Sequence, residues 1–184
     1  IQATQSYTNV VCHDYHNGVA TINVTGNAGP VSYLWSDGSV TQTIFNLSVG
    51  NYSVTATDGL NCKATAYFTI NEPSAPSITS SVLDAGDNGL GSAIIQVFNL
   101  TAPLSYTWNS TPEQYTQYLM DVPPGIYSVK IKDAKGCVTK HTLTIDGKIE
   151  IPNVVTPNND GVNEVFKIKY LPENSALYIY DRWG

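Results

Sequence analysis

Two copies of one sequence pattern follow each other along this chain, and this duplication restricts its possible folds more than any other feature. The copies align at an offset of 73 residues and then, after a two-residue insertion, at an offset of 75. We therefore predict one domain over residues 1–73, a second over 74–148 and a different segment over 149–184. The recurring residues are Gly18, Ala20, Ile22, Val24, Pro30, Ser32, Tyr33 and Trp35, matched by Gly91, Ala93, Ile95, Val97, Pro103, Ser105, Tyr106 and Trp108, and then Gly50, Tyr52, Ser53, Val54, Asp58, Cys62, Thr69 and Ile70, matched by Gly125, Tyr127, Ser128, Val129, Asp133, Cys137, Thr144 and Ile145.

Apolar residues alternate with Thr, Ser, Asn and Lys along most of each copy, as in Ile22 and Val24 or Tyr33 and Trp35. Period two predicts strands with one buried and one wet face, which is typical of antiparallel sheets packed as a sandwich. Turn signals such as Asp37-Gly38 fall between these runs and suit roughly six or seven strands per copy. The predicted fold class is all-β, with two tandem Ig-like sandwich repeats, a partial β domain at the C-terminus and almost no helix.

Composition and charge exclude some classes of partner. The net charge is -6 and the sequence pI is near 4.8, with few and scattered basic residues, so we expect no nucleic-acid partner. No apolar run approaches the roughly 20 residues that a membrane-spanning helix needs, so we expect no membrane-spanning segment. Since the chain begins at Ile1 without a signal peptide, we expect a fragment or a processed product.

The chain has three cysteines, Cys12, Cys62 and Cys137. They are too few for a disulfide-dense miniprotein, and their spacing does not suit a zinc ribbon. One bridge and one odd thiol is the natural count.

The first copy carries Pro30-Val31-Ser32-Tyr33-Leu34-Trp35, then Gly50-Asn51-Tyr52-Ser53-Val54, then Asp58 and Cys62. This order resembles the SprB repeat of gliding-motility adhesins in Bacteroidota, and copy two departs from it at Asn109 to Gln114. The resemblance implies a disulfide between Cys12 and Cys62, which suits an oxidising exterior. Copy two has no cysteine before its first strand, so Cys137 is then expected to be a buried free thiol.

The last segment contains Thr-Pro-Asn-x-Asp-Gly-x-Asn and ends in Arg-Trp-Gly. It resembles the start of the gliding motility-associated C-terminal domain, the type B signal of the type IX secretion system. The resemblance implies recognition by the outer-membrane translocon and its accessory proteins. Because the segment is too short to bury much surface alone, we expect it to be ordered by packing on copy two or by docking. The candidate signal residues are Thr156, Pro157, Asn158, Asp160, Gly161, Asn163, Phe166, Arg182, Trp183 and Gly184.

Three features allow a binding role beside a structural one. The aromatic pairs Tyr33/Trp35 and Tyr106/Trp108 could stack on sugars, but their alternating register favours a place in the core. The ligand-rich run 12–16 could bind zinc or copper, and a turn explains it equally well. Residues 156–164 resemble half of a calcium loop, but Lys167 stands where a bidentate glutamate is needed, which favours an Asx-type turn.

Together these features predict an exported cell-surface adhesin or stalk whose C-terminal segment acts as a secretion signal. We expect no catalytic residues, no cofactor and no metal, because no nucleophile with a base, paired carboxylates or phosphate loop is evident. The possible ligand is a surface glycan or another adhesion target. The alternative is an accessory carbohydrate-binding or spacer module of a secreted polysaccharide-degrading enzyme, with Tyr15, Tyr67, Tyr115 and Tyr118 as candidate contacts.

Overall fold

The structure is a computed structural model that describes residues 1–87, 89–151, 166, 168–171, 175, 176 and 178. In these residues it contains twelve strands and no helix, which confirms the predicted all-β class. The strands are β1 (Gln2–Thr8), β2 (Gly18–Thr25), β3 (Ser32–Trp35), β4 (Thr43–Leu47), β5 (Gly50–Thr57), β6 (Lys63–Ile70), β7 (Ser77–Leu83), β8 (Gly91–Phe98), β9 (Ser105–Trp108), β10 (Tyr118–Val122), β11 (Gly125–Lys132) and β12 (Val138–Ile145).

The two sequence copies have the same sheet topology. In the first copy, β1-β2-β4 form one three-stranded sheet and β3-β5-β6 form another. In the second copy the corresponding sheets are β10-β8-β7 and β12-β11-β9. The strand pairs of the first copy are antiparallel, as is the β8–β10 pair of the second. The duplication seen in the sequence is therefore a duplication of one strand arrangement.

The alternating residues of the first copy form its core, as predicted. Ile22, Val54, Ala56 and Ile70 have no exposed surface, and Trp35 is only 2% exposed. Such residues come from both sheets, so their inner faces pack against each other in the manner of a sandwich. Burial of apolar surface at roughly 25 cal/mol per Å² is the main force that holds two such sheets together.

Both repeated tryptophans are buried. Trp35 packs on Phe68 with ring centroids 5.2 Å apart, and Trp108 has no exposed surface. Each indole N–H donates to a backbone carbonyl, Trp35 to Thr41 at 2.7 Å and Trp108 to Thr116 at 2.9 Å. A buried ring with its N–H satisfied is a packing element, so for the tryptophans the core interpretation is confirmed over sugar stacking.

The chain divides into two compact units. The first comprises 1–77, 97–104 and 132–138, and the second comprises 78–96, 105–131 and 139–184. Two loops of the second sequence copy, 97–104 and 132–138, are thus part of the first unit. The domain boundaries expected from the repeat, 1–73, 74–148 and 149–184, stay a prediction.

Candidate functional site

The cysteine pairing differs from the one that the family resemblance implied. Cys12 is bonded to Cys137, 125 residues away, with their Cα atoms 5.5 Å apart. Cys62 is free and exposed. The prediction of a Cys12–Cys62 bridge with Cys137 as a buried free thiol is therefore wrong.

Strand geometry explains why Cys12 does not reach Cys62. The loop of Cys12 lies at the C-terminal end of β6, where the Val10 N–H donates to Asn71 O at 2.9 Å. Cys62 stands just before the N-terminal end of the same strand. Eight strand residues at about 3.3 Å each separate the two ends by about 26 Å, whereas a disulfide needs Cα atoms roughly 4.4–6.8 Å apart.

The loop that carries Cys12 is fixed by residues near the end of its own copy. The Asp14 N–H donates to Glu72 Oε2 at 2.9 Å, and the Val11 N–H donates to Asn17 Oδ1 at 3.0 Å. His13 Nδ1 lies 3.2 Å from Pro73 O. The contacts of Asp14 and His13 tie the loop to the connection after β6, and the Val11–Asn17 bond closes the loop on itself around Cys12.

His13, Asp14 and Glu72 bring metal-capable atoms within 4.8 Å of one another, so they could hold a cation. His13 Nδ1 is 3.3 Å from Glu72 Oε1, and its Nε2 is 3.6 Å from Asp14 Oδ2. Glu72 also accepts the Asp14 N–H, and His13 Nδ1 also lies close to Pro73 O. The cluster is therefore accounted for by the contacts that shape the Cys12 loop.

The loops before the other two cysteines are held by buried aspartates, a role that the sequence prediction did not assign. Asp133 Oδ1 accepts N–H bonds from Lys135 and Cys137 at 2.9 and 2.8 Å, and Oδ2 accepts one from Thr101 at 3.2 Å. Asp58 makes the equivalent bonds in the first copy, including one to the Cys62 N–H at 2.9 Å. The signal that could have revealed this role is an aspartate at the start of a turn in both copies, the position of an Asx turn.

The same contacts lower the pKa of both carboxyl groups. For Asp58 the N–H bond from Ala28 is the main cause, opposed by burial and aided by the Cys62 and Leu60 N–H groups. For Asp133 burial is the largest single influence and raises the pKa, but the N–H bonds from Thr101, Cys137 and Lys135 together outweigh it. Both groups are thus carboxylates that anchor loops, and neither is poised to exchange a proton near neutral pH.

A small cavity lies beside the disulfide in the first unit. Its volume is about 40 Å³, and its lining includes Cys12, Tyr15, Leu100 and Cys137. Pockets for small molecules usually measure roughly 300 Å³ or more, so this one suits a water molecule or two. We assign no substrate to it.

A more open depression of about 260 Å³ lies on the outer face of the β10-β8-β7 sheet. Its lining includes Val82, Leu83, Tyr118 and Met120, which are 40%, 70%, 46% and 50% exposed.

The four tyrosines proposed as sugar contacts are all exposed. The exposed fractions are 43% for Tyr15, 73% for Tyr67, 63% for Tyr115 and 46% for Tyr118. These rings are available to a ligand, in contrast to the buried tryptophans.

Serine and histidine side chains meet on the surface without forming an enclosed site. His16 Nδ1 lies 2.6 Å from Ser48 Oγ, and His141 Nε2 lies 3.3 Å from Ser80 Oγ. Both pairs are exposed. A nucleophile and base need a third group to orient the base and a site that excludes water, and these contacts alone provide neither.

The predicted secretion-signal residues lie almost wholly outside the described part of the chain. Thr156, Pro157, Asn158, Asp160, Gly161, Asn163, Arg182, Trp183 and Gly184 are outside the described residues, as is the 156–164 loop with its calcium and Asx-turn alternatives. Phe166 is described and is 45% exposed. Farther along the chain, the Lys169 N–H donates to Glu150 O at 3.1 Å, and the two residues also form an ion pair at 2.8 Å.

Together, the antiparallel sandwich topology and the disulfide between two of its loops define an all-β protein suited to an oxidising environment. Family models then identify two parts of the chain. Residues 4–40 match the SprB repeat, and residues 149–184 match the CHU_C Type IX secretion signal domain. The chain therefore contains an SprB repeat and a type IX secretion signal, and it is exported to the cell surface. Neither matched domain is catalytic.

The solved structures similar to this chain include three proteins. Mouse CEACAM1b is 12% identical at a TM-score of 0.29, covering 78% of this chain and 98% of its own. Amphioxus IgVJ-C2 is 12% identical at 0.31, covering 78% and 96%. DIP-gamma IG1+IG2 is 12% identical at 0.29, covering 76% and 95%. No curated protein sequence matches the chain. Among the described residues there is no helix long and apolar enough to cross a membrane.

Proposed function

We propose that this chain is part of a surface adhesin or stalk. Its repeats act as a stalk or as an adhesive array, and its C-terminal segment is recognised by the type IX outer-membrane translocon and its accessory proteins. The observation that carries the proposal is the presence of an SprB repeat and a type IX signal in one chain. Such a surface protein would serve gliding motility or adhesion to a surface.

A non-catalytic role agrees with the polar groups that the fold buries. Among the described residues, the buried polar side chains are Asp58, Ser110 and Asp133. The aspartates accept backbone N–H bonds, and Ser110 Oγ donates to Pro112 O at 2.8 Å. Each is used to fix a loop, which supports a structural scaffold over an enzyme.

The export half of the proposal is tested by truncation. Deleting residues 152–184 should leave the protein inside the cell, whereas the full chain should become accessible to protease added outside intact cells. The matched control removes residues 1–73 and keeps the signal, and it should still be exported. Surface display of the 152–184 deletion at the level of the full chain would contradict the proposal.

The adhesion half is tested separately with the purified chain on beads. Beads coated with it should bind cells or surfaces more than beads coated with a protein of equal charge. Equal binding by both kinds of bead would count against adhesion and leave the chain as a spacer.

A second candidate is a carbohydrate-binding accessory module of a secreted polysaccharide-degrading enzyme. The exposure of Tyr15, Tyr67, Tyr115 and Tyr118 favours it, because open aromatic faces stack on sugar rings. Glycan-array binding that is lost on changing these tyrosines to alanine, and kept in the Tyr33→Ala variant, would support it. Binding that survives all four changes would not.

A further inference from the structure

Cys62 and Cys137 occupy the same place in the same loop of the two copies. The Asp58 N–H donates to Cys62 O at 3.0 Å, and the Asp133 N–H donates to Cys137 O at 3.0 Å. The residue before each cysteine has positive φ, 63° at Asn61 and 86° at Gly136. Each loop thus presents its cysteine with the same backbone.

The two cysteines differ in what covers them. Cys137 is 8% exposed and is bonded to Cys12, which belongs to the β1–β2 loop of the preceding copy. Cys62 is free and exposed, and its neighbour Leu60 is 72% exposed. The surface around Cys62 in the first copy is therefore open, whereas the equivalent surface around Cys137 in the second copy is occupied by the Cys12 loop.

The loop of Cys12 is positioned by its own copy and by the connection after that copy. Its bonds go to Asn71, Glu72 and Pro73. A repeat with the same loop and the same connection would present its cysteine to the next repeat in the same way. The Cys12–Cys137 pair therefore defines the partner that fits Cys62, which is a cysteine in the β1–β2 loop of a preceding repeat.

We propose that Cys62 forms a disulfide with a cysteine in the β1–β2 loop of another repeat of this kind that precedes it in the polypeptide, as Cys137 does with Cys12. The Cys62 thiolate attacks a small disulfide such as oxidised glutathione and releases one glutathione thiol. The thiolate of the partner then displaces the second glutathione. The two cysteines lose two protons and two electrons, and one glutathione disulfide becomes two glutathione thiols.

The test is a chain in which residues 1–76 are placed directly before Gln2 of the full chain, so that the connection 72–76 is repeated. The added copy carries the conservative surface changes Thr8→Ser and Lys63→Arg, so that its Cys12 and Cys62 peptides differ in mass from those of the following copy. The protein is refolded in a glutathione redox buffer and alkylated before reduction, and its cystine peptides are mapped by mass spectrometry. We expect Cys12 of the added copy to be joined to Cys62 of the following copy, with loss of alkylation at that Cys62. Cys62 of the added copy should remain alkylated, because no repeat precedes it.

The bond between Cys12 of the following copy and Cys137 reports in the same sample that the repeats have folded. If that bond forms while the following Cys62 is alkylated, carries glutathione or joins a second molecule, the proposal is overturned. The control variant has Cys12→Ala in the added copy alone and should restore alkylation of the following Cys62. Protection that persists in this variant would also overturn the proposal.

Discussion

Removing the Cys12–Cys137 bond should lower the free energy of unfolding by up to about 5 kcal/mol. The bond joins residues 125 apart, and the chain-entropy relation evaluated for a loop of 125 residues gives about 5 kcal/mol at 25 °C. Cys12 and Cys137 are 4% and 8% exposed, so the double variant Cys12→Ala/Cys137→Ala keeps the site apolar. The loss should therefore come mainly from the greater freedom of the unfolded chain.

Urea unfolding followed by tryptophan fluorescence measures this change. With a denaturant slope of about 2 kcal/mol per M, a loss of about 5 kcal/mol moves the midpoint down by about 2.5 M. The matched control is Cys62→Ala, which removes an exposed free thiol and should change the free energy of unfolding by less than about 0.5 kcal/mol.

A second measurement separates the bond from the substitutions. Reductant added to the wild-type chain, with opening of the bond confirmed by mass, should lower the midpoint as the double variant does. The reasoning is refuted if the double variant and Cys62→Ala unfold at the same urea concentration. It is equally refuted if opening the bond leaves the wild-type midpoint unchanged.

Three further changes test the core, a close approach and a loop anchor. Trp35→Ala should cost about 3–5 kcal/mol in urea unfolding, while Phe45→Ala, at a side chain 65% exposed, should cost less than about 0.5 kcal/mol. Gly18→Ala should lower the free energy of unfolding by about 1–3 kcal/mol, because the new Cβ would lie 2.9 Å from both Ile70 Cγ2 and Leu47 O. The control is Gly125→Ala, whose Cβ would lie an ordinary 3.7 Å from Tyr127, so this variant should fold normally. The pKa of Asp133 is lowered in the folded state, so its carboxylate stabilises the fold above the ordinary pKa of 3.8, and this stabilisation is lost as the pH falls below 3.8. Thermal unfolding from pH 7 to 2 should show the loss, and the Asp133→Asn variant should show less of it.

The fold could be predicted because the alternation is regular within each copy. Residues such as Ile22, Trp35, Val54 and Phe68 fall on one side of their strands in the sequence, and all four are buried. Repetition added a second, independent instance of the same pattern. The turn signals placed the breaks between strands, so the sheet content could be inferred from local information.

The disulfide could not be predicted in the same way because its two cysteines belong to different copies. A family pattern for one repeat favours partners within that repeat, and Cys62 was the obvious choice for Cys12. Strand β6 places them at opposite ends of the copy. The sequence did hold one relevant signal, since Cys137 aligns with Cys62 while copy two offers no cysteine of its own as a partner.

The aspartate loops have the same contacts with and without a disulfide. Cys62 has no disulfide, yet its loop has the same Asp58 contacts that Asp133 provides around the bonded Cys137. The same loop geometry is therefore compatible with a free or a linked cysteine. The second copy has no cysteine in its β7–β8 loop, so a series of such bonds would stop there. The segment after the second copy contacts that copy through the ring of Tyr170, which lies over Gly147. The backbone pairing between Glu150 and Lys169 lies within the segment itself.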